Sequence, residues 1–137
     1  MNNFNSFIQN VQNSRKRTGI IYTSEVFSTI LQQLQESNIN IEVLDCTSLY
    51  HGSLIFPAGE LLNEIELASG SKPGIITNIE TFIVSNSFDF AEQLAKLLTM
   101  REPLKPLFFL FYSKKIFAQF KMQFESKDLN QNNIIEI

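Results

Sequence analysis

Several residue types are scarce in this 137-residue chain, and each scarcity excludes a class of protein or site. Cys46 is the single cysteine, so an internal disulfide is impossible. One cysteine and one histidine with scattered carboxylates give no spacing typical of a metal site. Cations are not in excess either, because the sequence has 11 lysines and arginines and 14 aspartates and glutamates. A net charge of -3 does not favour general affinity for nucleic acid, which depends on a basic surface.

Long apolar runs are also absent from the sequence. The longest, residues 107–112, has the length of a strand and falls far short of the ~20 residues that cross a bilayer. Residues 1–17 are polar and rich in asparagine, unlike a secretory signal peptide. We therefore expect a cytoplasmic protein with no membrane partner. The hydrophobic fraction of 44% can supply a core, and the length suits a single domain over residues 1–137.

Glycine is missing where a nucleotide-binding loop would need it. Neither G-x-x-x-x-G-K-[ST] nor G-x-G-x-x-G occurs anywhere in the sequence. Residues 18–22 read as a buried first strand, and a helix is expected almost at once, from Ser24 or Glu25. The turn between them has no glycine and no room for a phosphate loop. We interpret Thr23, Ser24 and Glu25 as a helix cap.

The pattern that is present alternates apolar strands with amphipathic helices. Helical spacing of apolar residues spans 4–11, 26–34, 61–68 and 90–98, with the basic residues 15–17 expected to close the first helix. Strands are predicted at 18–22, 40–44, 107–112 and 133–137, and from 74 onwards with an extension through 82–84 left open. Apolar strands separated by helices predict parallel pairing with helices on both faces. We expect an α/β three-layer sandwich with a mostly parallel sheet of about five strands.

The segment 116–124 is ambiguous. Ile116, Phe117, Phe120 and Phe124 have helical spacing, whereas Phe120, Met122 and Phe124 fit a strand. The chain has 13 phenylalanines, and those at the end of the chain exceed what we expect one small core to bury. We predict an exposed apolar patch there and a partner interface. The interface candidates are Phe117, Phe120 and Phe124.

Polar residues follow the predicted strands, at the edge of a parallel sheet where ligands commonly bind. Cys46 and His51 are nucleophile and base types, but such a pair needs mutual hydrogen-bond reach and an orienting group. Cys46 is better explained as a small buried residue. The sequence predicts no catalytic residue, no metal and no cofactor. The ligand-binding candidates are Asp45, Asn78, Glu80 and Ser113.

One basic cluster could contact phosphate, although a solvated helix end is the commoner meaning of such a run. It consists of Arg15, Lys16 and Arg17, with Lys114 and Lys115 as additional cations. Nucleic-acid binding would require these side chains to gather on one face, and its affinity would fall steeply with salt.

The order of elements and the strand end Thr77-Asn78-Ile79-Glu80-Thr81 resemble the RecA/AAA-like P-loop fold in minimal form. From about residue 18 onwards, the chain resembles one family of small proteins with this fold, the BrxF family, which are the P-loop proteins of BREX phage-defence loci. The resemblance implies a P-loop-NTPase-like topology. The phosphate loop of that family is missing, and Thr77 stands where the family has an acidic residue. The resemblance therefore implies a non-catalytic relative that belongs to a defence or DNA-processing assembly.

Three function hypotheses remain open at this point. The first is a non-catalytic protein-interaction subunit that binds partner proteins or copies of itself. The alternative is a small-ligand or nucleotide-binding enzyme or sensor in which Asp45, Asn78 and Glu80 converge. The third is nucleic-acid binding through Arg15, Lys16 and Arg17, directly or through a complex.

Overall fold

The computed structural model describes residues 2–37, 40–49, 52, 55–86, 89–100, 105–125 and 133–137. Within these residues, five strands form one sheet, in which every pair is parallel and the order is β2-β3-β4-β1-β5. The strands are β1 (Thr18–Tyr22), β2 (Glu42–Asp45), β3 (Gly74–Thr77), β4 (Leu107–Phe111) and β5 (Ile134–Glu136). The helices are α1 (Asn2–Asn13), α2 (Phe27–Glu36), α3 (Ala58–Ser69), α4 (Ile79–Ser85), α5 (Phe90–Met100) and α6 (Lys114–Glu125), and a short 3₁₀ turn covers Cys46–Leu49.

β1 lies inside the sheet, between β4 and β5. Its residue Ile20 is in register with Phe109 on one side and with Ile134 on the other. Four of its five residues are buried, because helices cover both faces of the sheet. This position explains why the sequence of β1 is almost continuously apolar. β2 is an edge strand, and Leu44 is its one buried residue.

Among the described residues, two helices cover the first face of the sheet and four cover the second. On the first face, α1 and α2 pack against Ile21, Ile75, Phe108 and Leu110. On the second face, α3, α4, α5 and α6 pack against the alternate strand residues, such as Ile20, Ile76 and Phe109. Side chains of successive strand residues point to opposite faces, so Phe108 and Phe109 belong to different cores. The predicted three-layer α/β sandwich with a parallel sheet is confirmed.

Gly19 marks a close approach of α1 to β1. A Cβ atom on Gly19 would lie 2.8 Å from Cδ1 of Phe108 and 3.0 Å from Cζ of Phe7. Both rings are buried in the core of the first face. The helix can therefore pack at this distance only because the strand has no side chain there.

Several predicted boundaries are wrong. α2 begins at Phe27 rather than at Ser24 or Glu25, and the preceding Val26 is 65% exposed instead of buried. β3 ends at Thr77, and residues 79–85 form α4 in place of the proposed strand extension. The reason is Asn78, whose left-handed backbone (φ 62°) turns the chain from the strand into the helix.

The ends of α1 and α3 also differ from expectation. α1 ends at Asn13, so the basic residues 15–17 follow the helix and do not close it. In α3, Ala68 is exposed although its spacing predicted burial, and Ser69 is buried. Gly70 follows the last residue of α3, with a positive φ of 64°.

α6 resolves the ambiguous segment as a helix and overturns the exposed apolar patch. Phe117, Phe120 and Phe124 are 2%, 0% and 2% exposed. Spacings of three and four residues place them on one face of α6. There the Phe120 ring centroid lies 5.3 Å from that of Phe111 in β4, and the Phe117 ring centroid lies 5.5 Å from that of Tyr22 in β1. As buried core residues, these phenylalanines offer no surface to a partner.

The lengths and apolar content of the described helices bear on whether any of them could span a membrane. None of those in the described part of the chain is both long enough and apolar enough to cross a bilayer.

Candidate functional site

The carboxyl ends of all five strands meet at one edge of the sheet, which we call the carboxyl edge. The four ligand-binding candidates lie there, in two pairs. Asp45 ends β2, Asn78 follows the neighbouring strand β3, and the two side chains contact each other directly. Glu80 and Ser113 meet at the end of β4.

Asp45 is the centre of the first pair. Its Oδ1 accepts hydrogen bonds from the Thr47 N–H at 2.9 Å, from the Thr47 Oγ1 at 2.6 Å and from the Asn78 Nδ2 at 2.9 Å. Asn78 can reach Asp45 because Thr77, the residue before it, is in register with Asp45. These bonds fasten the turn after β2 to the end of β3.

The same contacts lower the pKa of the Asp45 carboxyl below 3.8, its ordinary value. The Thr47 hydroxyl is the main cause, burial opposes it, and the Asn78 amide lowers the pKa further. A carboxyl whose pKa is lower in the folded state stabilises the fold above its unfolded-state pKa. That contribution is lost as the pH falls through the folded-state pKa, so it is complete at neutral pH, where Asp45 is ionised.

Glu80 is the centre of the second pair. It lies in the first turn of α4 and reaches across to the end of β4, where its Oε1 accepts the Tyr112 N–H at 3.0 Å and its Oε2 accepts the Ser113 N–H at 2.6 Å. Ser113 in turn caps α6, since its Oγ accepts the Ile116 N–H at 3.3 Å. The Glu80 carboxylate therefore binds the two backbone N–H groups that precede α6. The amino end of a helix is a position that favours an anion.

The surroundings of Tyr112 follow from this arrangement. Burial, and then the nearby Glu80 charge, raise the pKa of the Tyr112 phenol above its ordinary value. The phenol is therefore neutral at physiological pH.

The turn after β1 differs from the predicted cap. The Thr23 N–H donates to the Phe111 carbonyl at 3.0 Å, and Thr23 Oγ1 accepts the Glu25 N–H at 2.9 Å. Val26 is the N-cap residue of α2 and makes no side-chain capping bond. Thr23 therefore closes a local turn ahead of the helix, and the interpretation of residues 23–25 as its cap is wrong. The Glu25 N–H, which a phosphate loop would leave open for phosphate, already donates to Thr23. The Glu25 side chain is exposed and adds a carboxylate to the same turn.

Cys46 is unsuited to nucleophilic catalysis. It is fully buried, and burial, followed by the Asp45 charge, raises the pKa of its thiol to about 12. The reactive thiolate is therefore almost absent at neutral pH. His51 lies outside the described residues, so its pairing with Cys46 stays untested. In the part of the chain that the structure describes, no group of three or more histidine, cysteine or acidic residues could hold a metal ion.

Of the three residues predicted to converge, Asp45, Asn78 and Glu80, the structure brings Asp45 and Asn78 into contact. Among the described residues, Asp45 bonds to Asn78, whereas the Glu80 carboxylate turns to the backbone of β4. All four candidates have hydrogen-bond partners within the chain. Their bonds join strand ends to the following turns, which is the role of a structural brace.

The two basic clusters do not gather on one face. Arg15, Lys16 and Arg17 precede β1, whereas Lys114 and Lys115 follow β4, its parallel neighbour. The clusters lie at opposite ends of this strand pair, about 16 Å apart for five residues at roughly 3.3 Å each. The Arg17 carbonyl also accepts the Leu107 N–H at 2.9 Å, so this segment is part of the sheet framework.

Two buried polar residues, Lys105 and Asn133, are not marked by any pattern in the sequence. The Lys105 Nζ donates to the carbonyls of Glu66, at 2.8 Å, and of Gly70, at the end of α3. The Asn133 Nδ2 donates to the Thr18 carbonyl at 2.9 Å. In both cases the partners are more than 30 residues away. No local pattern could have revealed these contacts.

Comparison with known proteins adds no family to this picture. No protein-family model matches the chain, and neither the curated proteins nor the solved structures give a significant match.

Proposed function

We propose that this chain is a non-catalytic protein-interaction subunit on a degenerate P-loop-NTPase-like fold, and that it serves in a phage-defence or DNA-processing assembly. One observation carries the proposal. The polar groups at the carboxyl edge, where a nucleotide would bind in such a fold, are engaged with the chain's own backbone and side chains.

The turn after β1 supports this reading. A phosphate loop wraps several backbone N–H groups around phosphate oxygens and adds a lysine. Here the turn has no glycine or lysine, its Glu25 N–H is bound by Thr23, and the Glu25 side chain would repel phosphate. Thr77 stands at the end of β3, where the P-loop family has an acidic residue. The Glu80 carboxylate accepts backbone N–H groups at the end of β4.

The alternative, a small-ligand or nucleotide-binding enzyme or sensor, is favoured by the Asp45–Asn78 pair. Asp45 is exposed and ionised, and it stands next to an amide that could also contact a ligand. The alternative predicts that a ligand raises the melting temperature and that an Asp45→Ala variant loses this increase.

A nucleotide panel tests the proposal. The chain is melted with and without ATP, ADP, GTP and Mg²⁺, and we expect no change in melting temperature. A nucleotide at about 100 times its Kd would add about 2.7 kcal/mol and raise the melting temperature by several degrees. Such an increase with ATP would contradict the proposed function. The positive counterpart is recovery of a defined protein complex with the tagged chain.

A further inference from the structure

The helical layer on the second face changes the sign of its charge from one side to the other. α3 packs over β2, α5 lies between α3 and α6, and α6 lies over β4 and β1. α3 has no cation and carries Glu60, Glu64 and Glu66. α6 has one carboxylate, at its last residue, and carries Lys114, Lys115 and Lys121. α5, in the middle, exposes one charge of each sign in Glu92 and Lys96.

The sequence that surrounds these helices has the same uneven distribution of charge. Between residues 40 and 100, which include β2, β3 and α3, the sequence has eight carboxylates and two lysines. The remainder of the chain has more cations than carboxylates. The segment that contains β2, β3 and α3 is therefore acidic and the rest of the sequence is weakly basic, although the net charge is only -3.

The outer faces of α3 and α6 share one layout. In α3, exposed Glu60 is followed seven residues later by Leu67, which is 74% exposed. In α6, exposed Lys115 is followed seven residues later by Met122, which is 63% exposed. Seven residues make two helical turns, a rise of about 10.5 Å, so each pair lies on one stripe.

The two stripes also run in the same direction. α3 and α6 each connect the carboxyl end of one strand to the amino end of a parallel strand, so both run away from the carboxyl edge. Glu60 and Lys115 lie near the start of their helices, and Leu67 and Met122 near the end. Each stripe presents a charge first and an apolar side chain second.

We propose that a second copy of this chain docks on this helical layer, related by a two-fold axis that runs along α5. Such a rotation keeps the direction of the helices and exchanges the two sides of the layer. It therefore places α3 of each copy against α6 of the other, with Glu60 opposite Lys115 and Leu67 opposite Met122. The contact is self-complementary and occurs twice, as a two-fold interface requires. This inference rests on the proposed interaction function and names its surface and its partner.

The size of the layer sets the strength of the contact. α3 and α6 each have 12 residues. Helices about 18 Å long and roughly 9 Å apart give a projected area of about 500 Å² per copy. The buried surface would lie near the lower limit of specific interfaces, about 1,200 Å² in total. The dimer is therefore a weak one, and its charged contacts make it sensitive to salt.

Charge reversal at the paired positions tests the dimer. Sedimentation velocity over a series of protein concentrations gives the dimer Kd at low and at high salt. We expect a dimer that weakens at high salt, and Kd values at least about tenfold higher for Glu60→Lys and for Lys115→Glu, because each creates two like-charge contacts. The double variant restores the opposite charges and should recover most of the affinity.

The matched control is Glu36→Lys, which makes the same charge change on α2, at the exposed surface of the other face. It should leave the dimer Kd unchanged, and melting curves verify that all variants fold. A chain that is monomeric at every concentration, or a double variant as weak as the single ones, would overturn the proposal. So would a monomer whose Lys115 region binds labelled duplex DNA in a salt-dependent way.

The outcome separates the two proposals. A monomeric chain that does not respond to nucleotides overturns the dimer and leaves the interaction function intact. A chain that binds a nucleotide tightly overturns the interaction function, whatever its oligomeric state.

Discussion

Glu80 illustrates how a residue type common in active sites can serve the fold instead. Its position after β3 suggests a group that polarises water, yet both carboxylate oxygens accept backbone N–H groups at the end of β4. Asp45 behaves similarly, since its Oδ1 holds Thr47 and Asn78. In both cases the carboxylate replaces the hydrogen bonds that buried or turning backbone would otherwise lack.

A Glu80→Gln variant should be less stable by about 1–2 kcal/mol, because a charged acceptor and one of its two bonds to backbone N–H groups are lost. Urea denaturation measures the change. The control is Glu25→Gln at an exposed position, which should remain within about 0.5 kcal/mol of the original chain. Unchanged stability together with lost ligand binding would instead assign Glu80 to a site.

At the level of helices and strands, the apolar spacing predicts the type of element better than its boundaries. The stripe of α1 and the run of β1 are as expected, because both patterns report a buried face. The start of α2 is not as expected, because it depends on the Thr23 turn. The helix α4 is not predicted at all, because the left-handed Asn78 starts it where a strand extension was possible. The packing of α1 on β1 depends on one position, Gly19.

A Gly19→Ala variant should lose about 1–3 kcal/mol, since its Cβ would overlap the Phe108 ring in a packed core. Gly59→Ala is the matched control within the same chain. Gly59 lies in α3 with its nearest neighbour at 3.8 Å, so alanine fits and should stabilise the helix by up to about 1 kcal/mol. Denaturant midpoints report both changes, and equal effects of the two variants would contradict the packing of α1.

For the complete fold, the sheet order is what brings the distant parts of the chain together. β1 pairs with β4 and β5, so the C-terminal segment completes the core around the first strand. The phenylalanines of α6 belong to the same core as α3, α4 and α5. Their loss should affect global unfolding rather than a local surface.

A Phe120→Ala variant should lose about 3–5 kcal/mol and still unfold in a single transition. Gln119→Ala, at an exposed neighbouring position of α6, should change stability by less than about 0.5 kcal/mol. Calorimetry or circular dichroism melting distinguishes the two. A mild effect of Phe120→Ala would restore the idea of an exposed patch at the end of the chain.

The fold class, most of the elements and the missing phosphate loop could be read from the linear pattern. Apolar periodicity depends on which face of an element is buried, and a loop motif consists of neighbouring residues, so both are local properties. The strand order and the partners of Glu80, Lys105 and Asn133 required the folded chain, because these contacts join residues more than 30 positions apart. The burial of Phe117, Phe120 and Phe124 belongs with them. A phenylalanine stripe looks the same in the sequence whether it faces solvent or a sheet, and only the packing of α6 on β1 and β4 assigns it to the core.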